Sequence, residues 1–161
     1  MAPRVIFLDV DGVLHPFHGN IAASKVTTFH MHCMQLLQKI VQQTDAEIVL
    51  SSSWRNFSST RSKLLANLCE YDLTYTRWIE PDSAAAAGSA SSGKLEKILA
   101  FVESHSIVDW AVLDDEDLIG LSGISSESLM VQVFNSRFVR TDCMRGLIER
   151  DVVLVSKILS D

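Results

Sequence analysis

The segment Val5-Ile6-Phe7-Leu8-Asp9-Val10 is an unbroken apolar run that meets a carboxylate and is followed by Asp11 and Gly12. A strand with one wet face alternates apolar and polar side chains. A short run without alternation suits a strand buried on both faces, as in a parallel sheet. Two more runs share this character: Ala46 to Ser51, and Asp109 to Leu113, the latter followed by Asp114 and Asp115. Between the first two, Phe29, Cys33, Leu36, Leu37, Ile40 and Val41 fall at helical spacing. Strands alternating with helices predict an α/β fold, a three-layer Rossmann-like arrangement around a mainly parallel sheet.

The rest of the chain fits this scheme as one domain over residues 1–161, a length sufficient for a single core. Ser58 or Ser59 can cap a helix that continues through Leu64, Leu65, Leu68 and Cys69. Leu73 to Ile79 is rich in strand formers. Ser83 to Gly93 is almost all Ala, Ser and Gly and reads as a flexible loop. Lys94 opens a helix with Leu95, Ile98, Leu99 and Val102 on one face. Met130 to Phe134 and Phe138 to Val139 are read as weaker strands. A last helix runs from about Glu149 to Leu159, with Val152, Val155 and Leu159 facing inward.

Composition narrows the function classes. A net charge of −6 gives no support to a large phosphate-backbone footprint, which needs clustered Lys and Arg. The three cysteines, Cys33, Cys69 and Cys143, lie far apart with no C-x-x-C pair, so reduced thiols are expected, Cys33 and Cys69 as small core residues. No apolar run reaches the roughly 18 residues of a membrane span. The N-terminus lacks a signal-peptide core, and a cytoplasmic location is the expectation.

In an open parallel sheet, ligands bind outside the carboxyl ends of the strands. Asp9 and Asp11, Ser51 to Ser53, and Asp114 and Asp115 all fall at that edge, and Lys94 begins the helix leading into the last strand. Four carboxylates converging there repel each other unless a cation sits among them. Oxygen-only ligands suit a hard cation, and Mg²⁺ is the one commonly paired with phosphate chemistry.

Asp9-Val10-Asp11-Gly12-Val13-Leu14, Ile48-Val49-Leu50-Ser51-Ser52-Ser53-Trp54-Arg55, Lys94 and Val112-Leu113-Asp114-Asp115, in this order, resemble the haloacid dehalogenase superfamily. The Ser-Trp-Arg run and the late Gly146-Leu147 are similar to the domain of that superfamily found in Swiss Army Knife RNA repair proteins. Ile148 stands where that type has a helix-capping Thr, which leaves the start of the last helix open. The resemblance implies a Mg²⁺-dependent phosphatase or phosphotransferase acting on phosphate monoesters. Asp9 is then the nucleophile that forms an aspartyl phosphate, and Asp11 the group that protonates the leaving oxygen and later activates water.

Ser52 would donate to the transferring phosphoryl group, because the family's hydroxyl residue lies two before the Trp; Ser51 and Ser53 stay open. Lys94 would pair with the phosphoryl oxygens and Asp9. Ser53 and Arg55 are expected at the substrate, Arg55 with the alternative of covering Trp54. Mg²⁺ would be held by the Asp9 carboxylate, the Asp11 backbone carbonyl and Asp114, with Asp115 acting through water or as an orienting partner.

His15 and His18 flank the nucleophile loop and could touch substrate. The gaps His15 to Asp45 and Asn56 to Gly93 are too short for the cap domain many relatives carry, so a capless, open site is expected. That suits a large or polymeric phosphate such as a nucleic-acid end, which the net charge does not support. Two rivals belong to other classes. A phosphate-sensing receiver module would carry its acidic pair on the first strand and its phospho-accepting Asp on the third, the reverse of the order here. An inactive binding scaffold would be expected to have lost part of the set Asp9, Asp11, Ser52, Lys94 and Asp114, and none is missing.

Overall fold

Five strands in the order β3-β2-β1-β4-β5, every neighbouring pair parallel, form the sheet of this computed structural model, which describes residues 2–16, 29–80 and 93–160. The strands are β1 (Arg4–Leu8), β2 (Glu47–Leu50), β3 (Tyr75–Trp78), β4 (Asp109–Asp114) and β5 (Phe138–Arg140). The helices are α1 (Met31–Thr44), α2 (Ser58–Cys69), α3 (Lys94–Ser104), α4 (Leu118–Ser122), α5 (Leu129–Arg137) and α6 (Glu149–Ser160). The α/β expectation holds, and the sheet is parallel throughout.

Side-chain alternation along the buried strands splits the core in two. Ile6, Leu8, Ile48, Leu50, Ala111 and Leu113 point to one face and pack under α1, α2 and α6 through residues such as Leu37, Leu64 and Val155. Val5, Phe7, Val49, Trp110 and Val112 point to the other and meet Leu95 and Ile98 of α3 and Phe134 of α5. Phe7 is completely buried and meets Phe101 edge to face, with ring centroids 5.7 Å apart. Burying one such side chain contributes about 1.5–3 kcal/mol.

Several local expectations change. Met130 to Phe134 is helical, within α5. Only Val131 and Phe134 are buried there, an i, i+3 pair, while Met130 and Val133 are exposed, so the branched residues serve a one-sided helix instead of a pleat. The start of α2 has no side-chain cap, because Ser58 is already the first helical residue and Phe57 precedes it in extended conformation. Cys69 is exposed, since α2 buries the Leu64 and Leu68 stripe and Cys69 lies one position off it. The Gly146-Leu147 turn leads into α6 without a capping Thr. There the buried Asp151 reaches back to accept the Ile148 N–H at 3.1 Å, the return half of a capping box. The Ala/Ser tract before Gly93, and His18 with the polar stretch around it, lie outside the described residues. No helix among the described residues is long and apolar enough to cross a membrane.

Candidate active site

The register of the sheet decides which side chains meet. Leu8 stands opposite Leu50 on one side and Leu113 on the other. One residue further along each strand come Asp9, Ser51 and Asp114, level with one another. All three share the parity of Phe7, Val49 and Val112, so they turn toward the face covered by α3. Lys94 is the first residue of that helix. Its ammonium lies 3.3 Å from Asp9 Oδ1 and makes a close ion pair with Asp114 Oδ2.

Asp115 completes the group. Carboxylate oxygens of Asp9, Asp114 and Asp115 lie within 4.8 Å of one another. Asp115 packs against Gly12, whose φ is +74°; a Cβ there would sit 2.5 Å from the Asp115 carboxyl carbon. Glycine at this position therefore supplies both the left-handed turn and the room for Asp115.

The electrostatics follow from the crowding. Burial pushes the Asp9 carboxyl well above the usual carboxylate range; Lys94 opposes this, while Asp114, Asp115 and Asp11 add to it. Asp115 is also raised, by burial and by Asp114. Burial would lower Lys94, but Asp9 and Asp114 outweigh it and hold the ammonium charged above its ordinary range. Three carboxylates against one ammonium leave a surplus of negative charge in a largely buried place. A hard divalent cation among the three oxygen donors would remove that surplus, so the donor set fits Mg²⁺.

Asp11 stands apart from the cluster. Trp54 Nε1 donates to both of its carboxylate oxygens, at 3.2 and 3.3 Å, and His15 Nε2 lies 2.7 Å from Oδ1. The loop carrying it is pinned by Gly12 N–H to the His15 carbonyl and by Thr141 Oγ1 donating to the Gly12 carbonyl. His15 is buried and stacks on Phe29, so it holds Asp11 and is not an exposed loop residue beside the site.

A cavity of about 490 Å³ opens over these groups, lined in part by Asp9, Asp11, Ser51, Ser53, Arg55 and Lys94. A separate cavity of about 600 Å³ between β3 and α3 is lined by none of the four aspartates.

The serine register departs from expectation. Ser52 has the parity of Leu50, points away from the cavity, and its Oγ accepts the Trp54 N–H at the start of the short helical turn Ser53–Asn56. Ser51 lines the cavity, and among the described residues its buried Oγ has no hydrogen-bond partner. Of the two buried serines, it is therefore Ser51 that lines the cavity with Asp9. Ser53 reaches the cavity rim, exposed. Arg55 lines the cavity while donating to the carbonyls of Ile79, Ser51 and Ser52, which fastens the end of β2 to the end of β3.

A parallel α/β sheet whose central strands deliver an Asp-x-Asp-Gly turn, a hydroxyl, a helix-borne lysine and a pair of aspartates to one edge defines a domain of the haloacid dehalogenase type, a hydrolase or phosphotransferase in general terms. More narrowly, the chain belongs to the family described as the HAD domain in Swiss Army Knife RNA repair proteins, whose model matches residues 5–152. No curated protein and no solved structure matches the chain.

Proposed function

We propose that the chain is a Mg²⁺-dependent phosphatase that hydrolyses phosphate monoesters through a phosphoryl group carried on Asp9. The observation that carries this reading is the convergence of Asp9, Lys94 and Asp115 on one cavity, with Asp114 buried behind them and the unpartnered hydroxyl of Ser51 beside them.

An Asp9 carboxylate oxygen attacks phosphorus, and the bond from phosphorus to the leaving oxygen breaks. The departing oxygen takes the electron pair of that bond and a proton from the Asp11 carboxyl. Water then attacks the same phosphorus, giving a proton to the Asp11 carboxylate, and the bond from Asp9 to phosphorus breaks. Inorganic phosphate leaves and Asp9 is regenerated. Help of the kind Asp11 provides is typically worth ~10²–10⁴ in rate. Trp54 and His15 keep its carboxyl aimed while its proton comes and goes. Lys94 and the Ser51 hydroxyl bind the phosphoryl oxygens where negative charge develops. Asp9, Asp114 and Asp115, with the Asp11 carbonyl, would hold the metal, Asp115 directly or through water. When bound, the cation neutralises charge on the nucleophile and the phosphoryl oxygens.

The substrate class is proposed as a large or polymeric phosphate, in keeping with the short connections between motifs. The test is a panel of phosphate esters, including 3′- and 5′-phosphorylated oligonucleotides, assayed with Mg²⁺ and with chelator. Turnover that needs Mg²⁺ and disappears in Asp9→Asn is expected. Full activity in Asp9→Asn sinks the mechanism, and absence of turnover across the panel moves the assignment to a phosphate-binding module.

A further inference from the structure

Beside the catalytic cavity lies a second hollow of about 410 Å³, lined by Ser53, Trp54, Asn56, Phe57, Thr60 and Lys63 among others. Ser53 borders both, so the two adjoin at that residue. Trp54, at the floor of the second, is the same residue whose indole N–H holds Asp11. On the mechanism above, the leaving group departs next to Asp11. It is therefore released toward this hollow.

Two further features bear on what the hollow takes. Phe57 is a large aromatic left 66% exposed at its wall. Its backbone carbonyl accepts from Arg61 N–H and Thr60 Oγ1, so the backbone is anchored independently of the ring. The ammonium of Lys63 stands 5.8 Å from the centre of the Trp54 ring. Moreover, residues 48–69 contain Arg55, Arg61 and Lys63 and no Asp or Glu, in a chain whose net charge is −6. Of these, Arg55 lines the catalytic cavity and Lys63 the hollow, so each carries a cation of this stretch while the chain as a whole is acidic. An exposed ring next to a cation, opening from a phosphate site, matches a leaving group with a planar ring followed by a second anion.

We infer that the hollow walled by Phe57 and Lys63 is a leaving-group subsite for the terminal nucleotide of a phosphorylated oligonucleotide, Phe57 stacking on its base and Lys63 meeting the next phosphate. The inference rests on the phosphatase reading and assigns its substrate contacts. It reconciles acidic composition with a polyanionic substrate, because only the end of the strand is held and no long backbone footprint is needed.

The experiment measures kcat/KM for glycerol phosphate, a mononucleotide and a dinucleotide bearing a terminal phosphate, together with calorimetric binding of that dinucleotide. In the wild type, preference should rise with the ring and again with the second phosphate, each by about tenfold. Phe57→Ala should erase the first step and Lys63→Gln the second, with glycerol phosphate turnover unchanged; Phe57→Tyr should retain the first. Equal use of glycerol phosphate and dinucleotide by the wild type overturns the inference, as does a Phe57→Ala variant that loses both substrates alike. Dinucleotide binding that depends on Phe57, without turnover of any ester, supports the subsite and removes the phosphatase reading. Turnover with no effect of Phe57 or Lys63 does the reverse.

Discussion

The sheet edge and the first turn of α6 both bury an aspartate, and in both places burial raises its pKa above the ordinary value. They differ in what answers the charge. Asp151 has a partner for each oxygen, the Ile148 N–H on Oδ2 and Arg150 at 3.5 Å from Oδ1, and repulsion from Asp142 is the weakest influence on it. Asp9 shares one ammonium with Asp114, has Asp115 within ligand distance, and faces a cavity. A single buried acid with its hydrogen bonds made is a structural device. Several acids around too few cations, open to a cavity, form a site held ready for a charged ligand. Burial and a raised pKa do not separate the two cases, whereas charge balance does.

The largest effect expected from this contrast is at Asp9. Asp9→Asn should lower turnover of an aryl phosphate by at least ~10³ while raising the melting temperature measured in chelator, since it removes one of several repelling buried charges. Asp151→Asn should leave turnover unchanged, which a side-by-side assay would show. If Asp9→Asn melts lower than wild type in chelator, the surplus of charge is not a cost and the contrast fails.

Next comes Lys94, the cation both acids of the cluster share. Lys94→Met strands Asp9 and Asp114 and should cost about 3–5 kcal/mol of stability without metal, the range for breaking a buried pair. Added Mg²⁺ should recover much of that loss but little activity, as read by denaturant melts and by kcat. Recovery of full activity would remove Lys94 from the chemistry.

The serines give a smaller and more selective effect. Ser51→Ala should reduce kcat about tenfold or more with stability within ~0.5 kcal/mol, as its hydroxyl is unbonded in the fold. Ser52→Ala should reverse the pattern, losing about 0.5–1 kcal/mol with the Trp54 N–H contact and keeping most of kcat. Equal loss of kcat in both variants would contradict the register argument.

The smallest effect is at Asp151 and concerns pH. Its folded-state pKa is raised, so ionising it costs stability; the cost is absent at acidic pH below the ordinary carboxylate range and sets in as pH rises through the folded-state value. Asp151→Asn keeps an oxygen for the Ile148 N–H and removes that cost. Its melting temperature should gain on the wild type by a few degrees between mildly acidic and neutral pH. A difference that stays constant with pH would show that Asp151 carries no charge-dependent strain.

Much of the sheet edge was legible in the sequence because strands buried on both faces leave unbroken apolar runs, and β1, β2 and β4 each end where such a run meets polar residues. Asp9, Lys94, Asp114 and Asp115 could be placed together from that pattern. The choice between Ser51 and Ser52 could not, because one residue of register turns a side chain to the other face and only the pairing of Leu8 with Leu50 sets it. The partners of Asp11 were hidden for a different reason: Trp54 is 43 positions away, and an indole looks like core until its N–H is seen to meet a carboxylate. In α5 the branched residues suggested a pleat, and burial of Val131 and Phe134 alone against β4 selected a helix. The start of α6 was hidden because Asp151 answers the Ile148 N–H from inside the helix, three residues on, and no hydroxyl residue stands at the cap position.

The central claim is that a phosphoryl group passes through Asp9, and one measurement addresses it directly. An Asp11→Asn variant, which retains the proposed nucleophile and lacks the group proposed to activate water, is mixed with a readily cleaved aryl phosphate and Mg²⁺ and quenched in acid. Mass spectrometry of the digested protein should then find a hydroxylamine-sensitive phosphoryl group on the peptide containing Asp9. Phosphoryl on a different residue, or release of the aryl group with Asp9 never modified, would contradict the account.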